Sequence, residues 1–226
     1  MLLSTTRVKE AAVKREYGQF CGLAAGLDVI GERWTLLIVR ELLIGPARFK
    51  GLLENLPGIG PNLLTDRLRM LGDHGLVEQT SVADDGRARL YRLTESGQEL
   101  REPVLTLARW GLKFLDESDT DGTTRAEWGF LAVQAMIVDD AVPQVDEVYE
   151  FRVSEQTFQI LVRDGGVSFE RGAVAEPALT IECDAGTFVR VGARLLSPFQ
   201  ALATGDVRIK GDPEAVLRCT LMLGLD

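Results

Sequence analysis

Apolar residues recur along the front of the chain at steps of three and four, and along much of its rear at steps of two. Leu23, Leu27 and Ile30 in FCGLAAGLDVIG stand at helical spacing, and Gly31 then offers a stop. RWTLLIVRELLIG continues with Trp34, Leu37, Ile38 and Leu42 and predicts a second, strongly apolar helix. Gly45-Pro46 ends it, because proline cannot continue a helix and glycine accepts the cap conformation. ARFKGLLENL predicts a short third helix with Phe49, Leu52 and Leu53 inward. After the turn PGIG, Pro61 suits the first turn of a fourth helix. At about 100° per residue, Leu64, Leu68 and Leu71 share one face of that helix. Asn62, Thr65, Asp66 and Arg69 lie opposite, with Arg67 on the flank.

LVEQTS and ARLYRLT then predict two strands joined by ADDGRA, in which Asp85-Gly86 is a strong hairpin dipeptide. From Gly97 onward Leu100, Val104, Leu107, Gly111 and Phe114 form a long helical stripe beside Trp110, with Pro103 bending the helix. A helix at the end of a small domain cannot cover such a stripe alone, so a second copy or the rest of the chain must do so.

TDGTTRAEWG has the composition of a linker that becomes a helix. A boundary near Glu117 to Thr124 divides the chain into 1–116 and 117–226. RAEWGFLAVQAMIV predicts a buried helix. VYEFRVS, TFQILVRD, VSFERG and ALTIECD predict short strands, with Asp164-Gly165-Gly166 as a hairpin turn. AGTFVRVGARLL and SPFQALATG return to helix, VRIKGD is a last strand, and PEAVLRCTLMLGL closes as a helix. Meandering strands followed by helices with one more strand predict an α+β layer, and the whole chain reads as α+β.

Length and charge sharpen this picture. At 226 residues the chain accommodates two domains. Its formal charge of -9 is unevenly distributed. Up to Asp116 there are 16 Lys/Arg against 15 Asp/Glu, and from Glu117 onward 9 against 19. The acid therefore belongs to the second half. A near-neutral front half can still present a basic face, since phosphate attraction acts within about 8–10 Å at moderate salt.

That leaves nucleic-acid binding open, and the element order favours it. Helix, turn, helix, then a hairpin carrying Arg87 and Arg89 is the order of a winged helix-turn-helix. Such a fold places its second helix in the major groove and its hairpin along the phosphates. Asn and Arg near a helix N-terminus are the residue types that pair with adenine and guanine edges. Asn62, Thr65 and Asp66 would read or exclude bases, with Arg67 and Arg69 on bases or phosphates. Arg48, Lys50, Arg87 and Arg89 would hold the backbone. The competing reading is a compact helical core with no DNA duty.

CGLAAGLDVIGERWTLLIVRELLIGPARFKGLLENLPGIGPNLLTDRLRMLGDHGLVEQ, followed by RARLYRLTESGQELREPVLTLARWG, closely resembles the HxlR-type family of bacterial winged-helix transcription regulators. The resemblance runs from about Cys21 to Gly111. It implies a homodimer on double-stranded DNA, with the first helix and the helix after the wing supplying much of the interface. LTIECDAGTFVRVGARLLSPFQALATGDVRIKGDPEAVLRCTLMLG is similar to the sterol carrier protein type of lipid-binding domain, chiefly through ALATGDVRIKGDPEAVLR. That similarity implies a sheet covered by helices around an apolar cavity for a fatty or sterol-like ligand. Phe151, Phe158, Phe169, Ile181, Phe188, Leu195, Leu196, Phe199, Leu202, Leu217 and Met222 would line such a cavity or build a plain core.

Other chemistry finds little support. No apolar run reaches the roughly 18 residues of a membrane span, and the N-terminus lacks a signal-peptide pattern. Three cysteines without pairing rhythm suit a reducing cytoplasm. Cys21 sits where many members of the resembled family carry a cysteine near the first helix. It is a thiol-switch candidate or, as the simpler expectation, a buried structural residue; Cys183 and Cys219 are expected in the core. His74 is the only histidine, and no cysteine pair stands at metal-ligand spacing. No GxSxG or phosphate loop is present, and Asp139-Asp140 and Asp146-Glu147 read as loop charge. No enzyme, metal or cofactor is expected. The expectation is a cytoplasmic transcription regulator whose rear half senses an apolar small molecule or serves assembly. The alternative is a lipid-binding protein whose winged helix serves protein contacts. A third reading has ligand binding change the angle between two winged helices.

Overall fold

The computed structural model describes residues 17–82 and 85–225, with side chains for all of these except 82 and 85–88. The front of the chain opens with α1 (Gly22–Ile30) and α2 (Thr35–Ile44), then the short strand β1 (Ala47–Arg48) and α3 (Phe49–Asn55). α4 (Pro61–Asp73) begins with its proline in the first turn, where the missing N–H has no partner to lose. β2 (Val77–Val82) and β3 (Asp85–Leu93) form the hairpin, and β1 adds to β3, giving the sheet order β1-β3-β2. Ile38, Leu42, Leu52, Leu56, Leu64, Leu68 and Leu71 make the core of this lobe.

Two details depart from expectation. Asp85 pairs with Val82 across the hairpin, so Asp85-Gly86 opens β3, and the turn itself, at 83–84, lies outside the described residues. The helix foreseen from Gly97 to Phe114 is broken instead of bent. α5 (Glu95–Gln98) ends early, and α6 (Arg101–Gly111) starts afresh with Pro103 in its first turn, followed by a 3-10 turn at Leu112–Phe114. Thr94 fixes the start of α5: its hydroxyl accepts from the Gly97 N–H and donates to the Gly75 carbonyl at 2.6 Å. A Cβ at Gly97 would stand 2.0 Å from the Leu76 carbonyl oxygen, so no other residue fits there.

Behind a short 3-10 turn at Glu117–Asp119, α7 (Ala126–Met136) leads into the second lobe. β4 (Glu147–Val153), β5 (Gln156–Arg163) and β6 (Gly166–Arg171) form an antiparallel meander. The β5–β6 turn uses Asp164 and Gly165 at φ 49° and 71°, the left-handed pair a two-residue hairpin demands. β7 (Leu179–Cys183) then lies parallel to β4. α8 (Ala185–Gly192) and α9 (Pro198–Thr204) follow, β8 (Val207–Gly211) closes the edge and α10 (Pro213–Met222) ends the fold. The order is β6-β5-β4-β7-β8. Getting from β6 to β7 takes the chain past two strands, and this crossing explains a buried charge. Glu150, fully buried on β4, accepts the Val174 N–H of the crossing segment at 2.9 Å and pairs with Arg152 at 2.7 Å. Tyr149, Phe151, Val153, Phe158, Ile160 and Val162 belong to the second core.

α7 serves both lobes. Leu131 and Ala135 belong to the first core, and Ala126, Val133 and Met136 to the second. Alternating positions along one helix thus pack on opposite sides, which is why RAEWGFLAVQAMIV is apolar all round. Polar bonds reinforce the junction. Arg171 donates to the Ile44 carbonyl at 3.1 Å while its guanidinium lies over Phe130, and Arg125 bonds Asn55. Arg109 on α6 donates to the carbonyls of Ala135 and Ile137 at the end of α7, where helix carbonyls lack partners.

Candidate nucleic-acid interface and apolar cavity

On α4 the apolar and polar faces separate cleanly: Leu64, Leu68 and Leu71 are buried, while Asn62, Thr65, Asp66 and Arg69 are exposed. Three of these exposed groups have partners within α4 itself. Thr65 donates its hydroxyl to the Pro61 carbonyl at 2.9 Å, and Arg69 pairs with Asp66 at 2.9 Å. Beside them a groove runs between α4 and the hairpin, lined by Thr65, Arg69, Asp73, Glu78, Gln79 and Tyr91.

Arg67 is engaged within the protein. Its guanidinium donates to the Arg33 carbonyl at 3.2 Å and to the Glu32 carboxylate at 2.8 Å, and its side chain is only 17% exposed. Next to these partners, Trp34 caps α2 with φ 78°, a left-handed conformation that costs a bulky residue energy. Arg67 thus ties α4 to that turn.

Among the backbone candidates, Arg48 and Lys50 are exposed at the start of α3, Lys50 lying 3.5 Å from Glu54. Arg89 is exposed on the wing and donates to Gln79 at 3.3 Å; the side chain of Arg87 lies outside the described residues. Arg92 pairs with Glu78 at 2.6 Å across the hairpin. Lys50, Arg69, Arg89 and Arg92 therefore hold local acidic or amide partners that phosphates would have to displace. Sequence reading missed Gln79 and Tyr91. They are cross-strand partners, so the two-residue step along each strand was the available signal.

The second lobe holds an apolar cavity between its sheet and α8, α9 and α10. Phe151, Ile181, Phe188 and Leu202 line it, with a volume near 70 Å³. Phe158 stacks on Phe151 with ring centroids 5.5 Å apart and stands outside the lining, while Met222 is fully buried in the core. Leu196 is half-buried away from the cavity. Phe199 is 80% exposed. It stands two residues from the fully buried Ala201, about 200° round a short helix, so the two cannot both face inward. Leu217 is likewise exposed. Small-molecule sites run to roughly 300–1,000 Å³, so this cavity is too narrow for a sterol body as it stands.

Cys21 also departs from the buried role foreseen for it. It is exposed at the N-cap of α1, where the backbone N–H groups of Ala24 and Leu23 hold its thiol below the ordinary value. Burial, with Asp184 and Glu182, pushes Cys183 up to about 12, and burial likewise pushes up the thiol of Cys219. Among the described residues no cluster of His, Cys, Asp and Glu could hold a metal, and no helix is long and apolar enough to cross a membrane.

With this geometry in place, comparison with known proteins is informative. Residues 29–119 match the HxlR-like helix-turn-helix family, and residues 131–222 match the SCP-2 sterol transfer family. An HTH-type transcriptional regulator of Mycobacterium tuberculosis is 44% identical over 89 residues, 39% of this chain and 56% of that protein. The chain thus spans little more than half the length of this relative. The HTH-type transcriptional regulator YodB of Bacillus subtilis is 31% identical over 98 residues, 43% of this chain and 88% of YodB. The solved structure of reduced YodB is 29% identical, with 43% of this chain and 97% of YodB covered at a TM-score of 0.38.

Proposed function

The chain belongs to the HxlR-like helix-turn-helix family of transcriptional regulators, with an SCP-2 domain behind the winged helix, and on that premise we propose that it grips operator DNA as a homodimer in the cytoplasm. Residues 1–116 would bind DNA and pair the protomers, and 117–226 would respond to an apolar small molecule. The observation that carries this reading is the exposed polar face of α4 beside the hairpin groove. Asn62, Thr65 and Asp66 read or exclude bases. Arg69 joins them once DNA draws it from Asp66, and Arg48, Lys50, Arg87 and Arg89 hold phosphates.

Pairing has its own support. α1 buries only Ala24 and leaves Leu23 and Leu27 exposed, with Phe20 just ahead of it. Leu107, Trp110 and Phe114 stand exposed along and just beyond α6, while Val104 and Leu105 face inward. So much outward apolar surface on two helices favours a second copy. The two recognition helices would then lie about 34 Å apart, one turn of DNA.

The test is a titration of duplexes covering the chain's own upstream DNA against a shuffled duplex at fixed salt. A preference of about a thousandfold or more is expected for one upstream site. Equal binding to both would favour the second reading, a lipid-binding protein whose winged helix serves protein contacts, for which the SCP-2 match speaks. Native mass spectrometry for a co-purified apolar ligand would then be decisive.

A further inference from the structure

A much larger cavity lies between the lobes, near 660 Å³. That is within the roughly 300–1,000 Å³ typical of small-molecule sites. Its walls are mainly aliphatic: Val104 and Ala108 come from α6, Trp128 and Leu131 from α7, Val189 from α8. Arg190 on α8 is the more weakly paired of the two arginines in the lining. Its side chain is 37% exposed, and its guanidinium meets Glu117 through a long 3.3 Å pair that a ligand oxygen could replace.

The remaining charged groups of the lining are already engaged. Arg40 directs Nε and Nη2 to Glu41 and lies flat over Trp128. Asp116 accepts from Ser118, Asp119 from the Asp116 N–H, and Asp184 from Thr187. These three carboxylates keep the site unfriendly to a multiply charged anion such as a phosphate ester. We propose that this interlobe cavity binds a largely apolar molecule bearing a terminal carboxylate or hydroxyl, whose oxygen accepts from the Arg190 guanidinium. Because α6 supplies both the cavity wall and the outward Leu107 and Trp110, an occupant would bear directly on the surface assigned to pairing. That consequence rests on the regulator reading; the binding does not, and a titration without DNA separates the two.

Dodecanoate and 1-dodecanol, titrated calorimetrically into the full chain, are suitable probes. At least one should bind at one equivalent. Ala108→Trp, which fills the cavity from an exposed position, should weaken it at least tenfold, and Arg190→Gln should do the same. Loss confined to dodecanoate identifies a carboxylate ligand, and loss confined to 1-dodecanol a hydroxyl one. Leu202→Trp, which blocks the small cavity of the second lobe, should leave binding unchanged. Circular dichroism checks folding, and Ala132→Leu repeats the block should Ala108→Trp not fold. Failure of both probes to bind, binding indifferent to the block, binding indifferent to Arg190→Gln, or loss in Leu202→Trp alone would overturn the proposal.

Discussion

Trp128 donates its indole N–H to Glu41 at 2.8 Å, and Arg40 lies 3.8 Å above the same ring. Glu41 is only 3% exposed and takes all three donors, two from Arg40 and one from Trp128, on a single oxygen. The core of the winged helix is thereby tied to the helix that starts the second lobe. Trp128→Phe should cost about 1–2 kcal/mol by removing one charge-assisted bond. Glu41→Ala should cost about 3 kcal/mol or more by stranding Arg40. Urea unfolding followed by circular dichroism measures both; equal, negligible losses would show that the tie is not structural.

Arg89 and Arg67 should behave oppositely. Arg89→Ala should weaken binding to all duplexes and reduce the slope of log K against log salt by about 1, leaving stability unchanged. Arg67→Ala should lower the melting temperature through the loss of its bonds to Glu32 and Arg33. A salt slope that drops with Arg67→Ala and not with Arg89→Ala would reverse the assignment.

Trp110 and Phe114 meet edge to face at 4.6 Å on the outside of the protomer. Trp110→Glu should turn a dimer into monomers in sedimentation velocity, with the circular dichroism spectrum preserved. A variant as dimeric as its parent would take α6 out of the interface.

Thiol labelling should be sharply selective. Cys21 is exposed with its ionisation favoured, while Cys183 and Cys219 are pushed the other way. The thiolate of Cys21 is therefore populated at a lower pH than in a free peptide. Iodoacetamide at neutral pH should modify Cys21 alone, with a rate that levels off below the ordinary thiol pKa, as peptide mapping would reveal. Prompt labelling of Cys219 would contradict its burial.

Glu147 gives a pH signature. Burial works to raise its carboxyl, but bonds from Arg218 and from the Tyr149 hydroxyl at 2.5 Å outweigh it and hold the group below its usual range. A carboxyl depressed in the folded state adds stability above its unfolded pKa and loses it as pH falls through the folded value. Glu147→Gln should thus be about 2 kcal/mol less stable than the parent at pH 7, with the gap closing below the ordinary carboxyl range. A gap that persists in acid would point to packing in place of charge.

The sequence exposed elements better than attachments. Period and punctuation were enough for α4, because Pro61 marks its start and Leu64, Leu68 and Leu71 its inward face. The same logic held for the meander, where alternation and Asp164-Gly165 act within a few residues. The bonds of Arg67 were not legible, because Glu32 and Arg33 stand more than 30 residues away and no local pattern encodes the meeting. Phe199 looked like cavity lining because hydrophobicity alone does not say which side of a two-turn helix wins the inside; Ala201 did. The interlobe cavity was invisible, since its walls come from three helices of two lobes.

Leu131 and Ala135 look one way from α7 and Val133 and Met136 the other. The two ancestries in this chain thus share a keel. Severing the gene in the loop ahead of that helix would strip the front module of part of its hull, and severing it behind would do so to the rear. Exchanging either module for a cousin's would demand repacking on both sides of that helix.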